Sequence, residues 1–350
     1  MTKKGHHVSI LSGGGSKVPV LEQNGIRCFS MDIRTKSEIH PKLFMAVPEV
    51  TRLVRAEKID ILHAHTRVTQ VLAAAVSRST GVPFVSTAHG FYRSRLGRRL
   101  FPCWGERAVA ISPLVAEDLQ KSHGVLPAKI RVVHNAIDFE GLEKKLKAHD
   151  PAAVRAQYGI PKNAFVMGCI SRLVRDKGQE YLVEALSLLT KEIPNSFLLL
   201  VGDSREKERL DALIARLGLG PRVKMISGVV DTTAILSAID LFVHPATYRE
   251  GFGLAIAEAL AAQKPVILTK IPALDTLFRQ GVDAVLVPPK DPRALADAIL
   301  EIFRDAERSR TLAAEGYQKV SLLCRAERQA DEIESIYQEV LSEYGQGKKA

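Results

Sequence analysis

The sequence is short of the features that mark several protein classes. Its 350 residues hold four cysteines, Cys28, Cys103, Cys169 and Cys324, which lie 75, 66 and 155 positions apart. That spacing makes neither a disulfide framework nor a zinc-type pairing, and it reads as a reduced, cytosolic chain. No apolar run approaches the ~18 residues of a transmembrane helix. No signal-peptide core follows the opening Met-Thr-Lys-Lys-Gly-His-His. Ser12-Gly13-Gly14-Gly15-Ser16-Lys17 lacks the spacing of a phosphate loop and reads as a flexible turn. His63 and His65 would share one strand face, but no third ligand accompanies them, so no metal site is expected. There is no Asp-x-Asp to hold a metal–diphosphate, and no nucleic-acid-binding motif.

Charge, by contrast, is abundant and uneven. The net charge is +10, and residues 1–150 carry 23 Lys+Arg against 13 Asp+Glu while residues 151–350 carry 26 of each. The imbalance suggests two units with different partners. Nucleic acid, an anionic membrane surface or a phosphorylated substrate would each fit the basic one by charge. Length agrees with about two domains. Short apolar runs alternate with amphipathic stretches along both parts, among them Pro83–Thr87 and Arg131–His134, then Phe165–Ser171, Asp240–Val243 and Pro265–Thr269. Strand, helix, strand repeated in this way predicts an α/β fold with two parallel sheets, each covered by helices. The expected division is 1–150, a basic acceptor-side domain; 151–330, a donor domain; and 331–350, a terminal helix packing back on the first. The boundary is expected within Leu142–Asn163, and a long helical pattern within Arg308–Leu341. Ligands of such sheets gather at the carboxyl ends of the strands, so the residues just after each strand are the ones to inspect.

Three segments stand there. In Glu250-Gly-Phe-Gly-Leu-Ala-Ile-Ala-Glu258 the glycines let the backbone approach a ligand and start a helix. The N–H groups of Phe252, Gly253 and Leu254 would then face an anion. Glu258 would lie roughly 11 Å further along the axis, at ~1.5 Å per residue. The same spacing fits a glycine-started helix with Glu250 as a favourable terminal charge and Glu258 on a solvated face. In Ser171-Arg172-Leu-Val-Arg175-Asp-Lys177-Gly178, the cations Arg172 and Lys177 straddle a strand-to-helix turn. Together they form either a diphosphate clamp or a solvated basic loop. His89, after a strand and before Gly90, can project toward a ligand or serve the core. It is followed by Arg93, Arg95, Arg98 and Arg99 interleaved with Tyr92, Leu96, Leu100, Phe101 and Trp104. These residues make either a charged helix face or a patch for an acidic acceptor or a membrane surface.

In this order the segments resemble the retaining, nucleotide-sugar-dependent glycosyltransferases of the family-4 type. The resemblance covers nearly the whole chain. It rests on Ser171–Leu173 with Lys177-Gly178, on Glu250–Glu258 and the following Ala259–Val266, and on Val287–Asp291. In the first half it rests on Asp60–His65, Pro83–His89 and Val133–Asp138. It implies the GT-B fold, two doubly wound Rossmann-like domains facing a central cleft. It also implies transfer of a sugar from a nucleoside diphosphate to a lipid-linked or phosphate-bearing glycan acceptor in cell-envelope polysaccharide or lipopolysaccharide synthesis, in the cytoplasm or on the inner face of the membrane. Arg172 and Lys177 would neutralise the departing diphosphate without a metal cofactor. Glu258 would bind the donor ribose, and Glu250 with the amides of Phe252 to Leu254 would hold the sugar and phosphate. His89 would lie near the sugar's reactive end, with Glu250 and His89 the catalytic pair. The nucleotide sugar is a co-substrate, and no cofactor is implied.

Two departures qualify the pattern. Lys270-Ile271-Pro272-Ala273-Leu274-Asp275 replaces a usual Gly-Gly pair. Lys3–Val8 looks like the end of the family's first helix, so the first strand and most of that helix are expected to be lacking. Two alternatives stay in view, a nucleotide-sugar isomerase of the same fold and, because of that missing segment, a catalytically impaired sugar-nucleotide binder.

Overall fold

The computed structural model describes residues 1–347 except 36, 39, 93–96, 99–100, 204–205 and 230. The chain divides into two compact units, Met1–His134 with Glu327–Ala350, and Asn135–Ala326. The first division therefore falls ahead of residue 150. The Leu142–Asn163 stretch, expected to hold the boundary, is built into unit 2. Helices Phe139–Lys147 and Pro151–Gln157 pack on helix Thr233–Ala238, with Leu142 and Val154 buried. The long pattern at the chain end is two helices, Ala306–Leu323 and Ala326–Gly347. They are broken where the Ile137 N–H reaches the Cys324 carbonyl and Ile137 bridges Arg325.

Unit 1 holds strands β1 (Ser9–Ser12), β2 (Arg27–Ser30), β3 (Leu62–Ala64), β4 (Phe84–Ala88), β5 (Arg107–Ala110) and β6 (Ile130–Val132). All pairings are parallel. Among the described residues β1 and β2 form a ladder of their own, and β3-β4-β5-β6 form a second sheet in sequence order. The two sheets share one apolar core. Leu11, Met31 and Leu62 pack with Leu43, Val50, Val54 and Leu72 from helices Pro41–Ala56 and Arg67–Thr80. On the other face of the four-stranded sheet, Val85, Val109 and Val133 pack on Ile336 and Val340 of the terminal helix. That helix also places Glu339 between Arg107 and Arg131, and Asp331 and Glu334 against Lys4. Part of the basic surplus of the first 150 residues is thus neutralised within the unit.

Unit 2 is a six-stranded parallel sheet in the order β12-β11-β10-β7-β8-β9. Its strands are β7 (Phe165–Ile170), β8 (Ser196–Val201), β9 (Val223–Ile226), β10 (Leu241–His244), β11 (Val266–Thr269) and β12 (Val285–Val287). The near-continuous apolar runs follow from burial on both faces: every residue of β8, β10 and β11 is buried. Helices Gln179–Leu189 and Pro292–Arg304 pack together on one face, with Leu182, Leu186, Leu295 and Ile299 inside.

One glycine fixes the mouth of this sheet. Gly202, just beyond β8, has φ +151°, and a Cβ there would lie 2.0 Å from the Ser171 carbonyl oxygen. Backbone strain and overpacking cost roughly 1–3 kcal/mol each. Gly202→Ala is therefore expected to destabilise unit 2 by about 3 kcal/mol. A thermal melt superimposable on that of the wild type would contradict this close approach.

Candidate active site

The strand order of unit 2 reverses between β7 and β10, since the chain runs outward from β7 in both directions. In open α/β sheets such a switch point leaves a crevice at the carboxyl ends of the two strands, where ligands bind. Both motif segments of this unit start there. Ser171 and Arg172 follow β7, and the loop carrying Glu250 follows β10. Two contacts lace the loops together. The Thr247 N–H donates to the Asp176 carbonyl at 2.9 Å, and Gly178, at φ +65°, lets the Pro245 carbonyl oxygen come to 2.1 Å from where a Cβ would stand.

The result is a three-residue cluster in which His244 is buried and Lys177 and Glu250 are half-buried. Lys177, at the end of a short turn (Arg175–Lys177), pairs with Glu250 Oε2. The same oxygen accepts from His244 Nε2 at 2.9 Å, and Oε1 accepts from the Gly251 N–H at 3.1 Å. Burial opposes ionisation of Glu250, but the His244 and Lys177 contacts outweigh it and hold the carboxyl at about 2. His244 is 2% exposed; burial pushes it down despite Glu250, so the ring is neutral with Nε2–H donating. Its Nδ1 finds no partner. Arg172 is exposed, and its guanidinium makes no ion pair among the described residues. Its carbonyl and the Ser171 hydroxyl are held by Gln179 Nε2, at 2.9 Å each.

Downstream, Gly253 caps helix Leu254–Ala261 in the left-handed conformation. The positive end of that helix opens beside Glu250, with Phe252 buried and the Leu254 side chain exposed. Glu258 is half-buried further along the helix and accepts from the Thr232 hydroxyl at 3.1 Å; burial raises its pKa.

Unit 1 presents histidines at its own strand ends. His89, exposed just past β4, has Nε2 3.0 Å from Nδ1 of His65, which lies just past β3. The His65 ring stacks on that of His63 with centroids 4.3 Å apart. His63 Nδ1 meets the Tyr337 hydroxyl at 2.6 Å and Nε2 meets the Thr87 hydroxyl at 2.7 Å. Burial, reinforced by the two neighbouring rings, pushes His63 down to about 3. Among the described residues no group of three or more His, Cys, Asp or Glu is placed to hold a metal.

Residues 151–319 match the family model described as glycosyl transferases group 1, and residues 1–140 match that described as glycosyltransferase family 4. The structure of Anabaena Alr3699/HepE in complex with UDP-glucose is similar, with a TM-score of 0.80 at 25% identity over 94% of this chain and 91% of that one. The chain is a glycosyltransferase with the GT-B fold. Similar sequences include the N-acetyl-α-D-glucosaminyl L-malate synthase of Bacillus anthracis, 25% identical over 310 residues, 86% of this chain and 80% of that protein. A UDP-Gal:α-D-GlcNAc-diphosphoundecaprenol α-1,3-galactosyltransferase of Escherichia coli is 29% identical over 269 residues, 73% of this chain and 69% of its own.

In this glycosyltransferase the arginine patch is not as expected. Arg98 is 6% exposed, with its guanidinium 4.3 Å from the Tyr92 ring centre and 4.9 Å from that of Trp104. Its Nη1 donates to Gln70 at 3.4 Å. Flanking aromatics, read as membrane-facing, instead draw the cation inside. Arg98 therefore belongs to no acceptor or membrane face, while Arg93, Arg95 and Arg99 lie outside the described residues. No helix among the described residues is long and apolar enough to cross a membrane. His244, Thr232 and Gln179 were not foreseen. His244 carried the available signal, being the residue that directly follows the apolar run Asp240–Val243.

The Glu250 cluster gives the glycosyltransferase a testable pH signature. Because Glu250 ionises at about 2 when folded, against an ordinary 4.5, its stabilisation is complete above 4.5 and fades as the pH falls toward 2. Glu250→Gln is expected to cost about 3 kcal/mol at neutral pH, since it leaves the half-buried Lys177 without its carboxylate. Denaturant melts should show the penalty shrinking below pH 4.5, and a penalty constant down to pH 2 would contradict the ion pair.

Proposed function

We propose that the protein moves a sugar, with retention of configuration, from a nucleoside diphosphate sugar to a lipid-linked or phosphate-bearing glycan acceptor in cell-envelope polysaccharide or lipopolysaccharide synthesis. The observation that carries this reading is the Lys177–Glu250–His244 cluster at the switch point of unit 2, beside the exposed Arg172 and the start of helix Leu254–Ala261. An ammonium has three N–H donors. Lys177 uses one on Glu250 and keeps others for a phosphate oxygen. With Arg172 and the amides of Phe252, Gly253 and Leu254, it stabilises the charge that develops on the leaving diphosphate. Glu258 takes the ribose hydroxyls.

Glu250 acts by positioning. Its Oε2 is occupied by two donors, which lowers its nucleophilicity and suits it to hold sugar hydroxyls. The acceptor hydroxyl then attacks the face that the phosphate leaves. The bond from the anomeric carbon to the diphosphate breaks as the bond to the acceptor oxygen forms, and the acceptor's proton passes to the departing phosphate. His89 serves the reactive end of the sugar from unit 1. The UDP-glucose bound to HepE supports the donor class, and the diphosphoundecaprenol in the Escherichia coli relative's name supports a lipid-linked acceptor. The basic surplus of the first 150 residues, with exposed Phe44 and Met45 on helix Pro41–Ala56, supports work at the inner face of the membrane.

Incubation with UDP- and GDP-sugars, with and without membrane lipid extract, tests this. Nucleoside diphosphate release that depends on the extract is expected. An altered sugar without release points to isomerisation, and binding without turnover to a non-catalytic binder. Lys177→Ala should cut release by about 100-fold or more while the protein stays folded. Because Arg172 and Lys177 supply the positive charge, turnover should persist in EDTA. Its loss, restored by a divalent cation, would overturn that assignment.

A further inference from the structure

We infer that His65 is a positioning residue that holds His89 in a single tautomer, Nε2–H, leaving Nδ1 of His89 as a hydrogen-bond acceptor for a sugar hydroxyl. The inference rests on the proposed role of His89 and adds what makes that role specific. His65 Nδ1 and His89 Nε2 are 3.0 Å apart, a hydrogen-bond distance between two ring nitrogens. Such a contact holds one proton, so protonation of one nitrogen fixes the other as acceptor, and each ring's outer nitrogen follows. Burial lowers both rings below the ordinary histidine value, in His65 reinforced by His89. At neutral pH and above, both are therefore neutral and the single-proton count applies.

Two arrangements satisfy that count. If His65 Nδ1–H donated, both rings would carry the proton on Nδ1, the minor form of a neutral imidazole in water. If His89 Nε2–H donates, both rings are in the major Nε2–H form. Among the described residues no carboxylate or carbonyl oxygen hydrogen-bonds either ring, so nothing opposes the second arrangement. The outward nitrogen of His89 is then a lone pair, the partner an incoming hydroxyl requires.

The surroundings hold this geometry. His65 lies on the His63 ring at 4.3 Å with the planes 23° apart, and His89 follows at 5.3 Å and 28° from His65. His63 cannot rotate without losing hydrogen bonds to both Tyr337 and Thr87. Tyr337, pushed up to about 12 by burial, stays a neutral phenol. The terminal helix thereby braces His63, which supports His65, which in turn orients His89.

The full chain labelled with 15N-histidine, at pH 8, gives a readout independent of turnover. A through-hydrogen-bond coupling is expected between a protonated His89 nitrogen and an unprotonated His65 nitrogen. No coupling, or the proton on His65, overturns the inference. Kinetics supply the second arm. His65→Leu should lower kcat about tenfold, the worth of one oriented hydrogen bond, with donor KM and thermal midpoint near wild type. His65→Asn, whose Oδ1 can accept from His89, should recover most of that loss. Equal losses in both variants would mean a packing role and overturn the inference. A wild-type chain that bears the coupling yet releases no nucleoside diphosphate would refute the proposed function and leave the histidine pair standing.

Discussion

The candidate site of unit 2 depends on one half-buried charge contact. Glu250 is held as a carboxylate by Lys177 and His244, and those three residues come from the end of β10 and from the loops that follow the two strands between which the sheet reverses. A single buried carboxylate is costly to desolvate. Two donors on one oxygen and a backbone N–H on the other meet that cost, and they also knit the β7 and β10 loops into one surface. Removing Glu250 leaves both Lys177 and His244 without that partner, and removing either of them takes one donor from the carboxylate. The chemistry of the site is therefore tied to the stability of its mouth.

Unit 1 solves a related problem without carboxylates. Three histidines at the ends of β3 and β4 are joined by ring stacking and one hydrogen bond, Tyr337 and Thr87 hold His63, and burial keeps His63 neutral. The terminal helix supplies Tyr337, the apolar cover of Ile336 and Val340, and the acid that pairs with Arg107 and Arg131. The most distant segment in sequence thus braces the residues that orient His89. The ladder of β1 and β2 stands apart from the four-stranded sheet in hydrogen bonding, and the two are joined through the side chains of one apolar core.

Much of this was legible in order along the chain. Each of the apolar runs became a parallel strand, and in unit 2 the runs of β8, β10 and β11 are buried on both faces. The Arg172–Lys177 and Glu250–Glu258 segments stood out by residue type and by their place after strands. Other features were hidden for physical reasons. The Leu142–Asn163 stretch looked like a domain boundary because its exposed lysines mask Leu142 and Val154 on the buried side. Arg98 looked like surface because a sequence shows a cation's charge but not the aromatic rings that enclose it.

The sequence by itself determined the strand pattern, the division into two α/β units, and which cations, glycines and carboxylates follow strands. Those are local properties, written in periodicity and spacing. Only the tertiary structure decided that His244 shares Glu250 with Lys177, that Tyr337 reaches His63 across 274 positions, and that Arg98 is enclosed. Each of these depends on which nitrogen and which oxygen meet after the chain has closed. The energy of such a meeting belongs to the pair, and no spacing along the chain records it.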